Sequence, residues 1–388
     1  MEEFADSAIR EIYYAPHVIA GDNSVDRIGD YVALLNQSGR SVLLVVDRAL
    51  GELGVVDRVT ASLSEVGFTS EVFSDITAEP EIEVVRSLAQ AARNKRYCGV
   101  VGVGGGSAMD PAKLAAFLAT NSDDPLVYVR GRLFGNRRLP LILVPTTAGT
   151  GAEVSRNSIV TMDNKKVVIS SPGMIPDVAI LDATLSLTAP PSTTAASGLD
   201  ALCHAVETYL SSSASTFTAT YSLSAVRIIS QWLPIAYMDG SDVEARRALL
   251  YAANLAGLSI NAVVVLGHTM AYTIATRTHL PHGVTTGMCL PYCLTYNARG
   301  AKNRIDDLAS AAHTDNLPLW ARGLCDAMGV PASLADIGLS RRDIPEMVRE
   351  CIEAYPRPNN PVPFDERQLT RLYEGFYVGD FDVDMRQS

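Results

Sequence analysis

The chain has 388 residues, 47% hydrophobic and 19% charged, the make-up of a globular protein with room for two domains and their cores. Its net charge of −11, with no block of Lys or Arg set against it, excludes a surface built for nucleic acid or an anionic membrane. No stretch reaches the roughly 20 apolar residues of a membrane helix, and the acidic opening MEEFADSAIR lacks the apolar core of a secretory signal, so a cytoplasmic location is expected.

In chain order, residues 11–20 read as a short strand and turn, and residues 24–39 hold a helical pattern ending near Gly39. SVLLVVD, residues 41–47, is a continuous apolar run of the kind a buried parallel strand shows, and it ends on Asp47. An amphipathic helix up to Gly67 follows, then a strand over TSEVFSDI, a helix from Pro80, a strand over YCGVVGV, and a strand over LPLILVPTT. KKVVISSPGMIPDVAILD reads as two short strands around a turn. Strands alternating with helices predict an α/β unit with a parallel sheet.

Between two of those strands stands GGGSAMDPAK. Gly104, Gly105, Gly106 and Ser107 sit where a strand hands over to a helix, which lets backbone N–H groups and a helix N-terminus approach an anion such as a pyrophosphate. Ser107 stands where a GxGxxG dinucleotide fingerprint would need its third glycine, so a plain tight connection stays open. Asp47, at the carboxyl end of its strand, can bond an adenosine ribose and repel a 2′-phosphate, or it can be a solvated turn residue. PTTAGTGAEVSRN, residues 145–157, is rich in hydroxyls and glycine. Thr146, Thr147 and Thr150 can bond phosphate or ribose oxygens, with Asn157 and Lys166 reaching further along a nucleotide.

Past APPSTTAA, residues 189–196, strand-like runs stop and helical patterns take over. Here DALCH places Asp200 and His204 one turn apart on one face of a helix, and GHTMAYTIATRTHLPHG supplies His268 and His282. Three of the chain's six histidines fall in this set. One carboxylate and three imidazoles form a ligand set for Zn²⁺ or Fe²⁺. The six cysteines form no CxxC pair and read as small buried residues of a reduced protein.

GGGSAMDPAK, PTTAGTGAEVSRN, SPGMIPDVAILDATL, GLDALCHAVETYLS, GHTMAYTIATRTHLPHGVTTGMCLPY and NPVPFDERQLTRLYEGF occur in one order. Together they resemble the iron-containing (group III) alcohol dehydrogenase family of the dehydroquinate synthase-like superfamily, over nearly the whole chain. The resemblance implies an N-terminal α/β dinucleotide-binding domain with a parallel sheet, residues 1–190, and an all-helical metal-binding domain, residues 191–388. It assigns the metal to Asp200, His204, His268 and His282, with Fe²⁺ preferred and Zn²⁺ as the alternative. It sets NAD against Asp47, Gly104, Gly105, Gly106, Ser107, Thr146, Thr147, Thr150, Asn157, Lys166 and Leu185, and Asp47 favours NAD over NADP.

The implied activity is hydride transfer between nicotinamide and a small alcohol or aldehyde held on the metal, with His268, His282 and Tyr272 at the reacting end. The family often reads GHxMAH. Here the last position is Tyr272, which can relay a proton or shape the pocket, with His279 a nearby substitute. The implied assembly is a homodimer or a larger homo-oligomer, with neither nucleic acid nor membrane as partner. Two readings compete: a glycerol dehydrogenase-like polyol oxidoreductase using Zn²⁺, and a non-catalytic protein that binds nucleotide or metal. DALCH and the fourteen-residue spacing of His268 and His282 weigh against the first, and the intact ligand set and GGGS turn against the second.

Overall fold

A computed structural model describes residues 11–35, 38–51, 53–76, 80–162 and 165–382; the acidic segment 1–10 discussed above lies outside the described residues. Two compact units are present. One comprises Ile12–Ala189 with Ser241–Gly257, the other Pro190–Gly240 with the residues from Leu258 onward.

The first unit is built on strands β1 (Val18–Ala20), β2 (Ser41–Val46), β3 (Thr69–Phe73), β4 (Gly99–Gly104) and β5 (Leu141–Pro145), followed by the hairpin β6 (Asn157–Met162) and β7 (Lys165–Ser170), and by β8 (Val178–Leu181). Six of these form a parallel sheet in the order β1-β8-β5-β4-β2-β3, and β6 pairs antiparallel with β7 beside it as a separate sheet. The period of two sorts the sheet's side chains between its faces. Val42, Leu44 and Val46 join Val101, Val103, Ile142 and Val144 in one cluster, under Ile28 and Val32 of α1 (Ile28–Leu35) and Val59 and Leu63 of α2 (Val55–Glu65). Leu43 and Val45 join Val100, Leu141 and Leu143 in another, under Leu88 of α3 (Ile82–Asn94) and Met109 and Ala112 of α4 (Gly106–Leu118). Each such Val or Leu contributes roughly 1.5–3 kcal/mol by leaving water. At Gly102 a Cβ would stand 2.6 Å from Ala112 Cβ, so the missing side chain is what lets α4 lie close on β4. A short helix, α5 (Pro125–Val129), is capped by Asp124.

The strand order positions the site. From β2 the chain steps outward to β3, then crosses back to β4 and continues the other way to β5. Winding therefore reverses between β2 and β4, and in open parallel sheets ligands bind beyond the carboxyl ends of the strands at such a reversal. Asp47 follows β2, Gly104 ends β4, and Gly105 and Gly106 lead into α4.

The second unit is helical. Its central helix, α6 (Pro191–Leu210), is buried without a break from Gly198 to Leu210, as a helix apolar nearly all round must be. Against it pack α7 (Thr216–Met238), α9 (Leu266–Ala275) and α10 (His282–Asn297). The remaining helices are α11 (Lys302–Ala311), α12 (Leu317–Ala327), α13 (Ile344–Glu353) and α14 (Glu366–Val378). At Gly283 a Cβ would run into the Ala196 carbonyl, so this glycine brings the start of α10 against α6. Among the described residues no single helix is long and apolar enough to cross a membrane.

Helix α8 (Val243–Ser259) departs from the division expected at residue 190. The chain leaves the α/β unit at Ala189, returns to it for residues 241–257, and leaves again. Within that unit Asn254 donates to Glu153 at 2.9 Å, Arg246 donates to the Ala189 carbonyl at 2.8 Å, and Arg247 pairs with Asp22 at 2.6 Å. Gly257 and Gly151 touch backbone to backbone, leaving no room for a Cβ on either. Periodicity gives a helix but not its partner, which is why sequence assigns α8 with its helical neighbours.

Candidate functional site

The glycine turn is held by the acid from the neighbouring strand. Asp47 Oδ2 accepts the Gly105 N–H at 2.8 Å, and Oδ1 accepts the Ser107 hydroxyl at 2.8 Å. Gly104 has φ +148°, and a Cβ there would collide with Asp47 Oδ2, so both conformation and contact demand glycine. Gly105 and Gly106 then open α4. The Thr146 N–H donates to the Gly104 carbonyl at 3.0 Å, and Thr147 and Thr150 lie against Gly105 and Gly106. Burial raises the Asp47 carboxyl above its ordinary value, and the Gly105 and Ser107 donors oppose that rise.

The other residues read as nucleotide contacts sit on further elements. Asn157 opens β6, and its carbonyl accepts the buried Lys113 ammonium at 2.5 Å. Lys113, on α4, also donates to Asp110 and to Ser155, each at 3.2 Å, and Asp110 accepts the Ile159 N–H at 3.1 Å. This network ties the helix behind the glycine turn to the hairpin. Lys166 faces Thr161 across the β6–β7 ladder. Leu185 packs in the sheet's apolar cluster with Leu50 and Ile180 and is 3% exposed.

In the helical unit, Asp200 and His204 project from one face of α6, His268 from the first turn of α9, and His282 from the first residue of α10. Asp200 Oδ1 lies 3.9 Å from His268 Nε2 and 3.8 Å from His282 Nε2, and its Oδ2 lies 3.9 Å from His204 Nδ1. These separations are too long for hydrogen bonds. They are close to the ~3.4 Å between donors that share one tetrahedral ion at about 2.1 Å. Asp200 Oδ1, His204 Nδ1 and His268 Nε2 are buried and make no hydrogen bond, although burying unsatisfied polar atoms is costly. The ligand atoms of Asp200, His204 and His268 all lie within 4.8 Å of one another. His282 stands at the rim, its side chain 25% exposed. Such a set fits a divalent metal of the Zn²⁺ or Fe²⁺ type.

The electrostatics agree. Burial and the neighbouring His204 push His268 far below the usual imidazole range, so it stays neutral, as a metal ligand must. Burial would raise Asp200, but the three imidazoles and a bond from Thr286 hold its carboxyl below the usual value. Tyr272 packs its ring parallel to His282, with centroids 5.4 Å apart, and meets Tyr355 at 5.0 Å. Burial pushes the Tyr272 phenol up to about 12, so it is protonated at neutral pH. His279 is exposed.

Three features escaped sequence reading. Glu207, fully buried, lies 2.7 Å from His268 Nδ1. Its spacing carried a signal, since it follows His204 by three and lies on the same face of α6. Asn360 accepts the Leu266 N–H at the start of α9, at 3.2 Å. Val263, just ahead of that helix, has φ +61°, a strained conformation for a β-branched residue. Asn359 holds it there by donating to the Val263 and Val264 carbonyls at 3.0 and 3.1 Å.

Comparison with known proteins decides the family. The profile of iron-containing alcohol dehydrogenases matches residues 15–183, and that of the C-terminal domain of Fe-containing alcohol dehydrogenases matches residues 194–377. The chain belongs to the iron-containing alcohol dehydrogenase family. Long-chain-alcohol dehydrogenase 1 of Geobacillus thermodenitrificans is 32% identical, across 96% of this chain and 98% of that protein. The crystal structure of a 1,3-propanediol oxidoreductase superposes with a TM-score of 0.90 at 30% identity, covering 95% of this chain and all of that one. Sulfoacetaldehyde reductase from Bifidobacterium kashiwanohense, solved in complex with NAD⁺, superposes with a TM-score of 0.88 at 27% identity, covering 95% and 99%. As an iron-containing alcohol dehydrogenase the chain is an oxidoreductase, and its α/β unit and helical unit have the architecture expected of that family.

Proposed function

We propose that this chain is an NAD-dependent, metal-dependent alcohol dehydrogenase, or aldehyde reductase in the reverse direction, acting on a small alcohol or aldehyde. The observation that carries the reading is the cluster of buried, unbonded ligand atoms on Asp200, His204 and His268, with His282 at the rim. These four residues would hold the metal, Fe²⁺ by family and Zn²⁺ as the alternative. When bound, the metal supplies a Lewis acid for the substrate oxygen, and NAD supplies the hydride acceptor.

The chain's own residues do the rest. Gly104, Gly105, Gly106 and Ser107 offer the pyrophosphate a close backbone approach at the N-terminus of α4. Asp47 offers the ribose an acceptor and refuses a 2′-phosphate. Thr146, Thr147, Thr150, Asn157, Lys166 and Leu185 extend the cofactor site. Tyr272, protonated at its hydroxyl, is a donor and a wall rather than a base, and its ring fixes the face that His282 presents.

The test is a screen of NADH oxidation over a panel of small aldehydes, run with Fe²⁺ and with Zn²⁺. Turnover of at least one aldehyde is expected, with about one Fe per chain after purification without air. A metal-loaded chain that neither quenches nor shifts NADH fluorescence would sink the dehydrogenase reading. Full activity with Zn²⁺ alone would overturn the choice of iron.

A further inference from the structure

We propose that Glu207 is a positioning residue of the metal centre, a carboxylate that fixes the tautomer and aim of His268 so that Nε2 offers its lone pair to the ion. The proposal rests on reading Asp200, His204, His268 and His282 as the ligand set.

The geometry gives this carboxylate little freedom. Glu207 stands seven residues after Asp200, two turns along the same face of α6, with its side chain wholly buried. Its Oε2 accepts two backbone N–H groups, from Val265 at 2.9 Å and from His268 at 3.1 Å. Its Oε1 faces His268 Nδ1 at 2.7 Å. Gly267 leaves the space for this approach, since a Cβ there would stand 2.5 Å from Oε1. No local side chain caps the start of α9, so Glu207 and Asn360 supply the acceptors from a distance. One carboxylate thus holds both the backbone and the ring of the same ligand.

The chemistry follows from the inventory of donors. An imidazole that binds metal through Nε2 carries its proton on Nδ1, and Oε1 is the acceptor for that proton. Backbone N–H groups only donate. In Glu207→Gln the amide oxygen must therefore face Val265 and His268 N–H, which turns the NH₂ toward Nδ1. Nδ1 then becomes an acceptor, and the ring's proton moves to Nε2, where it blocks the ion. Shape and backbone bonds survive while the tautomer inverts. A purely structural role makes the opposite statement, because the amide fills the same volume and keeps the same backbone bonds.

The experiment uses Zn²⁺ as the probe. Chelator competition should give E207Q a dissociation constant for Zn²⁺ about 10–100-fold above that of the native chain, at an unchanged melting temperature of the metal-free protein. In the native chain with ¹⁵N-labelled histidine and Zn²⁺ bound, one Nδ1–H proton should lie far downfield, as a proton bonded to a buried carboxylate does, and E207Q should lack it. The native spectrum keeps the test alive if E207Q does not fold, and absence of that proton from it overturns the proposal. E207Q binding Zn²⁺ as tightly as the native chain overturns this proposal alone. A native chain that binds neither Zn²⁺ nor Fe²⁺ overturns the ligand set and this proposal with it.

Discussion

Asp47 closes the glycine turn onto itself, its Oδ2 accepting the Gly105 N–H at 2.8 Å. The carboxylate proposed to face a ribose is thus already aligned by the turn proposed to face a pyrophosphate, and each oxygen keeps a further lone pair. Asp47→Gly removes a charged acceptor for the 2′-hydroxyl and the repulsion of a 2′-phosphate. Together these are about 1.5–3 kcal/mol, so the preference for NAD over NADP should relax by roughly 10–100-fold. Steady-state kcat/KM with each cofactor reads this directly, and an unchanged ratio removes Asp47 from the cofactor site.

His268→Ala should abolish metal retention and lower turnover by at least about a thousandfold, the scale of several kcal/mol of Lewis-acid stabilisation, while NADH still binds. Elemental analysis and a fluorescence titration on one preparation separate the two. Loss of both together would mean misfolding or a wrong division of labour between the units.

Lys113→Met tests the buried network behind the glycine turn. It leaves Asp110 without its cation, which should destabilise the fold by about 3–5 kcal/mol in urea titrations. The sign with pH is set by Asp110, whose carboxyl is raised by burial even with Lys113 beside it. A carboxyl with a folded value above its unfolded one binds more protons when folded, so its penalty is present at high pH and fades as pH falls toward the unfolded value. The deficit of K113M relative to the native chain should be larger at about pH 8 than at about pH 5. A deficit that grows toward acid would contradict the assignment.

Removing metal should loosen the helical unit. Asp200 Oδ1, His204 Nδ1 and His268 Nε2 lack partners among the described residues, so an ion there adds bonds that folding alone does not supply. At a thousandfold excess over its dissociation constant the ion adds about 4 kcal/mol. Calorimetry after chelation should show a lower melting temperature that Fe²⁺ or Zn²⁺ restores. Indifference to both metals would rule out an ion at this cluster.

Sequence went far because two kinds of signal were strong. The parallel strands β2, β4 and β5 announced themselves as apolar runs, and Asp200 with His204 had one-turn helical spacing. The hairpin strand β6 was missed because NSIVTM sets Ile159 and Val160 side by side between polar residues, with no apolar–polar alternation to read. Helix α5 is five residues long, too short for a period to register. Within the candidate site, residue types pointed to the candidate ligands but not to the groups that pack against them. Asn359 and Asn360 bond to backbone far away in sequence, and such bonds leave no local pattern, whereas Glu207 had helical spacing from His204 but no motif to mark it. Leu185 shows the converse, since its packing with Leu50 and Ile180 explains its identity as fully as any ligand does.

Helix α8 has a consequence for the birth of the protein. The α/β unit is discontinuous, and its last piece, residues 241–257, follows the helices α6 and α7. On the ribosome the sheet strands emerge first, yet Glu153 still waits for Asn254, and Gly151 for the backbone of Gly257. The segment 145–157 beside the glycine turn can settle only after part of the second unit has been synthesised. A fragment ending at Ala189 should therefore bind NADH poorly even if its sheet forms, and co-expressing residues 190–388 should rescue it. On that expectation, cofactor capture waits until the chain has been made as far as residue 257, and a truncated translation product would not sequester dinucleotide.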